Sequence, residues 1–339
     1  MGLARHTWQP GCHFTALPRR PVTGMCHSGC RRAGMKFIPD KDGRIELPLD
    51  FVAGLLAEQF PEWREEPLRP LLPGGWTNRA FRLGETKLLR FPTARRYADL
   101  PEHERLWLPL LAPQLELEIP EVVALGIRGR GYPWPWLISE WIEGTTVSRT
   151  SVSDDAALAR DLARFLRQLH AIQPPEGVAL PLPGPVNFHR GGDLAVYDQE
   201  TRAALEVLRG RIDTEAGAAL WARALSSRHA AGPVFTHGDL TPENMLARDG
   251  RLAAVIDWGN LTHGDPACDL AMAWTHFEAP ARQTFREALP LDPETWARGR
   301  GWAFWKAAKV LAGQDGNQRG AGQAQALIRT LLAEDQASR

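Results

Sequence analysis

The chain has 339 residues, enough for one large two-lobed domain or two ordinary ones. Forty Lys and Arg balance forty Asp and Glu, so the net charge is zero, without the basic excess usual in a nucleic-acid or membrane-surface binder. No run approaches the roughly eighteen apolar residues of a membrane span.

Residues 1–34 carry three of the four cysteines, Cys12, Cys26 and Cys30. With His13 and His27 they hint at zinc, but at irregular spacings. The segment has neither a signal-peptide core nor a period of either kind. Met35 then opens a stretch that reads like a normal start. Residues 1–34 are therefore expected to be a poorly ordered upstream extension. The body holds only Cys268, which cannot build a disulfide framework, and cytoplasm is the natural compartment.

Residues 49–60 read as an amphipathic helix with Asp50 as its cap. Residues 68–91 read as strands, with runs at 80–83 and 87–91 and breaks at Gly74-Gly75 and Gly84-Glu85. A helix follows over 101–112, where Pro101 suits the first turn. Two more strands follow at 122–125 and 136–141. This order describes a small α+β lobe over 35–142. Residues 143–145 read as a linker, and 143–339 as a larger, mostly helical lobe. In residues 156–172, Leu158, Leu162, Phe165, Leu166 and Leu169 share one helix face. A Pro/Gly-rich loop spans 174–185. Helices are expected at 198–209 and 216–225, short strands over 235–257, and helices again from Asp269. There is no internal repeat.

The informative stretch is FTHGDLTPENMLARDGRLAAVIDWG, residues 235–259. It holds His237-x-Asp239, then Asn244 five positions after the Asp, then an apolar strand ending in Asp257-x-Gly259. Phosphoryl transfer needs a carboxylate to orient an attacking hydroxyl and accept its proton. It also needs oxygen ligands to hold Mg²⁺ against the nucleotide phosphates. Magnesium prefers hard oxygens and keeps some waters, so one Asn and one Asp plus phosphates suffice.

The run HGDLTPEN…VIDWG…GDPACDLA resembles the signature of the aminoglycoside and macrolide phosphotransferases. More loosely, it is similar to the catalytic loop and Asp-Phe-Gly motif of protein kinases. The resemblance covers residues 68 to about 310. It implies an α+β, bilobal, protein-kinase-like fold: a small N-terminal antiparallel-sheet lobe with one helix, and a larger, mostly helical C-terminal lobe. It implies an O-phosphotransferase using ATP, or GTP, with Mg²⁺. Asp239 takes the role of catalytic base, and Asn244 and Asp257 become the metal ligands. His237 becomes a loop-bracing residue near Asp257. Asp265 and Asp269 become supporting residues at the mouth of the next helix, although Asp265 before a proline is also an ordinary turn former.

The nucleotide end departs from the kinase pattern. In a Val-Ala-Ile-Lys strand the Lys reaches the phosphates and a Glu on the next helix braces it. Here the strand reads KLLR, and alternation puts Leu88 and Arg90 on one face. Arg90 therefore stands where Lys is expected, with Glu104 as its partner and Glu102 as the fallback. Arginine stays charged and offers two donors to phosphate. Gly75, Trp76, Thr77 and Asn78 lie between two strands, as a backbone phosphate cradle or a plain hairpin turn. Glu140, Trp141 and Ile142 fit a hinge between lobes, whose backbone groups would meet adenine.

For the acceptor the resemblance implies the helical lobe, with Asp193, Asp198, Trp274, Glu278 and Trp302 as candidates. Asp198 reads more simply as the cap of the helix that follows it. At helical spacing the late tryptophans are also core residues. The acceptor is expected to be an aminoglycoside or macrolide antibiotic. A metabolic kinase of the same fold acting on a sugar, amino alcohol or amino acid is the alternative, and a non-catalytic nucleotide-binding scaffold is a third reading. The partner is a small molecule, with no nucleic acid and no membrane, on a monomer or homodimer.

Overall fold

A computed structural model describes residues 37–40, 43–72, 75–148, 150–314 and 320–337, all within the unit Lys36–Arg339. The expected extension over 1–34, its cysteine–histidine group and Gly74 lie outside the described residues.

The first layer is a five-stranded antiparallel sheet of β1 (Leu68–Pro70), β2 (Asn78–Leu83), β3 (Lys87–Pro92), β4 (Val122–Gly126) and β5 (Trp136–Glu140), in the order β1-β2-β3-β5-β4. Strand alternation divides its residues between two faces. Phe81, Leu83, Leu89, Phe91, Trp136 and Ile138 point to one face and form a core with the apolar side of α1 (Leu49–Gln59). The register sets Ala80 opposite Arg90, Arg82 opposite Leu88, and Leu88 opposite Ser139, so these side chains share the other face. A second helix, α2 (Leu100–Leu111), buries Trp107, Leu108 and Leu111 in the core of the helical lobe. Both helices read in this lobe, at 49–60 and 101–112, are thus present, and Phe51, Val52, Leu55 and Leu56 of α1 leave water against the sheet.

Asp50 does not cap α1. Pro48 occupies the cap position without a side-chain hydrogen bond, and Asp50 sits exposed in the first turn, where a negative charge still favours the helix dipole.

After β5 the chain reaches β6 (Thr145–Thr146), which pairs with β8 (Met245–Arg248) rather than with the sheet. The helical lobe contains α3 (Asp155–Ala171), α4 (Asp198–Val207), α5 (Thr214–Ser226), α6 (Met272–Thr275), α7 (Ala279–Ala288), α8 (Pro293–Leu311) and α9 (Ala321–Ala337). β7 (Val234–Thr236) pairs with β10 (Thr262–Gly264), and β9 (Arg251–Val255) with β8. Asp154 caps α3 through Ala157 N–H, and Leu158, Leu162, Phe165, Leu166 and Leu169 are all buried. Asp198 is not a cap but the first residue of α4. Its carboxylate accepts from Arg202 and from Trp221 Nε1 at 2.8 Å. The late tryptophans Trp274, Trp296, Trp302 and Trp305 are all buried. Among the described residues, no helix is long and apolar enough to cross a membrane.

Candidate active site

The informative stretch folds into the end of β7, a loop and the β8–β9 hairpin, and hydrogen bonds fix that loop residue by residue. Asp269, fully buried, accepts from the backbone N–H of His237 at 2.7 Å and of Gly238 at 2.8 Å, one to each carboxylate oxygen. His237 Nδ1 accepts from Asp239 N–H at 3.2 Å, so Nε2 carries the ring proton and donates to Ile256 O at 3.0 Å. The indole of Trp258 packs edge-on to this imidazole. Gly238 has φ +82°, and a Cβ there would stand 2.3 Å from Asn260 O, so no other residue fits without moving the loop.

Asn244 ends a 3₁₀ turn, Pro242–Asn244. Its Nδ2 donates to Asp239 O at 2.9 Å, and its backbone O accepts from Ile256 N–H at 2.9 Å. The segments holding Asp239, Asn244 and Asp257 are therefore bonded to one another. Asp257 adopts φ +62°, ψ +66°, a left-handed conformation that a non-glycine residue holds only at a cost of roughly 1–3 kcal/mol. Strained backbone of this kind clusters at functional sites. The side chains of Asp239 and Asp257 remain about a third exposed, at 31% and 34%.

On the sheet side, Arg90 projects from β3 and donates to Glu104 Oε2 and to Asp257 Oδ1, both at 2.6 Å. Glu102 pairs instead with Arg105. Glu104 is 2% exposed. Burial opposes the charge on Arg90, but the two carboxylates outweigh it and hold its pKa above the ordinary value. Burial raises the Glu104 carboxyl, against the pull of Arg90. Burial likewise raises Asp269, opposed by His237 and the two N–H donors.

The loop before β2 is held by side chains. Thr93 Oγ1 donates to Trp76 O and Thr77 O, Arg79 to Gly75 O, and the Arg44 guanidinium lies 3.9 Å over the Trp76 ring. Asn78 is not in the loop: it begins β2, buried, donating to Thr77 Oγ1. At the expected hinge, Glu140 N–H donates to Glu121 O and Trp141 N–H to Thr86 O. Two of the three backbone donors expected to meet adenine are thus already engaged. Sequence reasoning missed Arg82, which stacks 3.8 Å over Trp141 and donates to Glu143 at 3.1 Å.

A cavity of about 870 Å³ lies among α6, α7, α8 and α9, and Trp274, Glu278 and Lys306 are on its wall. Lys306 Nζ stands 3.9 Å from Asp239 Oδ1, so one residue of the cavity wall reaches the HGD loop. No motif marked Lys306. Only the packing of α8 brings it to a residue 67 positions earlier. The other acceptor candidates do not line this cavity. Asp193 caps the turn Leu194–Tyr197, Asp198 binds Arg202 and Trp221, and Trp302 is buried against Tyr197 and Trp305. Asp265 caps the 3₁₀ stretch Pro266–Ala271 and pairs with Arg298 at 2.5 Å.

An antiparallel sheet lobe, a helical lobe and a HGD…N…D cluster between them define a kinase-like transferase. The chain belongs to the phosphotransferase enzyme family, whose profile matches residues 69–302, and it is a phosphotransferase. No curated protein matches it. Its fold is similar to that of the GDP complex of aminoglycoside 2'-phosphotransferase-IIIa, with a TM-score of 0.64 and 19% identity, covering 85% of this chain and 100% of that one. It is also similar to the streptomycin-ATP ternary complex of APH(2")-IIa, at TM-score 0.56, 19% identity, 85% of this chain and 97% of the other. Macrolide 2'-phosphotransferase MphH from Brachybacterium faecium gives TM-score 0.53, 22% identity, and coverage of 82% and 98%.

Proposed function

We propose that the protein transfers the γ-phosphoryl group of ATP or GTP to a hydroxyl of a small molecule, with Asp239 as the base. The supporting observation is the bonded cluster in which Asn244 donates to Asp239 O and accepts from Ile256 N–H, next to Asp257. Asp239 orients the acceptor hydroxyl and takes its proton. The acceptor oxygen forms the new P–O bond as the bond between the β-γ bridging oxygen and the γ-phosphorus breaks, and the nucleoside diphosphate leaves.

The donor set fits magnesium. Asn244 Nδ2 is turned to Asp239 O, which leaves Oδ1 as a hard ligand, and Asp257 has a second oxygen beyond the one paired with Arg90. These two residues would hold the ion, which supplies charge neutralisation at the phosphates. His237 and Asp269 hold the loop in shape and Asp265 supports the turn that carries Asp269. Arg90, braced by Glu104, faces the phosphates, with Leu88 on the same strand face and the backbone of residues 75–78 beside them. Ile142 is the remaining hinge donor for adenine, and the lobes are residues 35–142 and 143–339.

The acceptor occupies the cavity beside Lys306, whose volume suits a multi-ring, antibiotic-sized molecule better than a small metabolite. Similar solved proteins include complexes with GDP and with ATP, so both donors are reasonable. We place the enzyme in the cytoplasm, where both nucleotides are available. The test is transfer of γ-phosphate from ATP and GTP, with magnesium, to a panel of aminoglycosides, macrolides and small metabolites. At least one acceptor is expected to be labelled. A chain that binds nucleotide but labels none would point to a scaffold role.

A further inference from the structure

The acceptor cavity carries two carboxylates, Glu278 and Glu334, and two cations, Arg282 and Lys306, so its charged walls balance. Glu334 is committed: Arg282 pairs with it at 2.6 Å and Trp274 Nε1 donates to it at 2.8 Å. Between these charges the walls are mainly apolar, with Phe277, Val310 and Leu327, beside the polar Thr275, His276, Gln323 and Thr330. At the end where chemistry would occur stands a cation, Lys306, 3.9 Å from Asp239.

A polycationic acceptor needs excess negative charge on the pocket, and most of all near the hydroxyl that reacts. An ammonium fixed there repels a second ammonium by Coulomb's law. The effect weakens with added salt because Lys306 is half-exposed. The apolar walls reward a ligand that buries carbon surface instead.

From this we infer that Lys306 sets the charge selectivity of the acceptor site. The enzyme takes a hydroxylated, partly apolar molecule without positive charge near its reacting hydroxyl, and Lys306 turns polycations away. The inference rests on the placement of the acceptor beside Asp239. It narrows the expected antibiotic acceptor away from polyamine sugars.

The experiment is isothermal titration of the whole protein with two probes, kanamycin as polycation and 4-nitrophenyl-β-glucoside as neutral glycoside. The wild type is expected to bind the glucoside more tightly. Lys306→Glu should raise kanamycin affinity about tenfold or more at low salt, Lys306→Gln by an intermediate factor, and both should leave the glucoside within about threefold. The gain should shrink as salt is raised. An unchanged kanamycin affinity in Lys306→Glu, or parallel changes for both probes, would overturn the inference, as would a wild type that prefers kanamycin. Lys306 is half-exposed, and a thermal melt of each variant checks that it folds. Binding is read without transfer, so the result is independent of whether Asp239 is the base. That assignment fails separately, if Asp239→Ala transfers phosphate at the parent rate.

Discussion

On the helical side of the site, backbone groups do most of the holding. Asp269 grips two N–H groups, His237 bonds forward to Asp239 N–H and across to Ile256 O, and Asn244 bonds to both neighbouring segments. On the sheet side, one guanidinium joins β3 to Glu104 on α2 and to Asp257 across the lobes. The first arrangement is many modest hydrogen bonds, each worth about 0.5–1.5 kcal/mol net, which together fix a shape. The second is a single buried charge network, whose desolvation cost makes it fragile to the loss of any one member. The difference teaches where each side tolerates change: the loop tolerates little change of backbone, and the ion network little change of charge.

The largest effect is expected at the proposed base. Asp239→Ala should lower kcat by about 10²- to 10⁴-fold, the usual contribution of a positioned general base. Its backbone O and N–H, which carry the loop bonds, survive the substitution. Nucleotide affinity, measured by calorimetry, should therefore stay near that of the parent. An unchanged kcat would mean that the loop is scaffold only.

Next comes the ion network. Arg90→Ala leaves Glu104 buried without its cation and should destabilise the fold by about 3–5 kcal/mol. In a thermal melt that is a drop in Tm on the order of 10 °C. Adding Glu104→Gln should restore much of the loss, because the uncompensated charge goes with it. Arg90→Lys keeps a charge but has no planar fork to serve Glu104 and Asp257 together, and should fall between. A double variant no more stable than Arg90→Ala would show that packing, not charge, holds this corner.

A smaller change tests the backbone side. Asp269→Asn is isosteric, but an amide has only one acceptor oxygen for the two N–H donors of His237 and Gly238. One donor loses its partner and meets an NH₂ group. The cost should be about 1–3 kcal/mol by denaturant unfolding. Because Asp239 follows directly, kcat should fall further than stability alone requires.

The same contrast explains what could be read from the sequence. The helical-side loop was legible because its chemistry needs fixed residue types at fixed spacings within one short stretch, from His237 to Asp269. Strand alternation likewise puts Leu88 and Arg90 on one face, and the first-turn proline marks the start of α2. Lys306 was not legible, since it reaches Asp239 only through the packing of α8. Nor was the link from Arg90 to Asp257, which joins two lobes. Asp50 and Asp198 were misread for one reason. An Asp near a helix start satisfies the capping rule by composition, yet the chain places Pro48 and Tyr197 at those cap positions. Asp198 is drawn instead to Arg202 and Trp221.

The smallest effect is on pH dependence, and it compares the lobes directly. His103 lies on α2 and His170 near the end of α3. Burial lowers each imidazole from 6.5 to about 4, and among the described residues His103 Nδ1 and His170 Nε2 have no hydrogen-bond partner. The unfolded chain takes up these protons near pH 6.5, while the folded protein refuses them until about pH 4. The unfolded state therefore binds more protons in that window, and stability must fall as pH drops through it. Each histidine contributes at most about 2 kcal/mol to that fall once partial exposure is allowed for. His103→Gln and His170→Gln should each flatten the decline of Tm between pH 6.5 and 4 without changing the value at pH 8 by more than their packing cost. Equal flattening would mean that the lobes unfold as one unit. A response confined to one transition would show that the Arg90–Asp257 link is too weak to couple them.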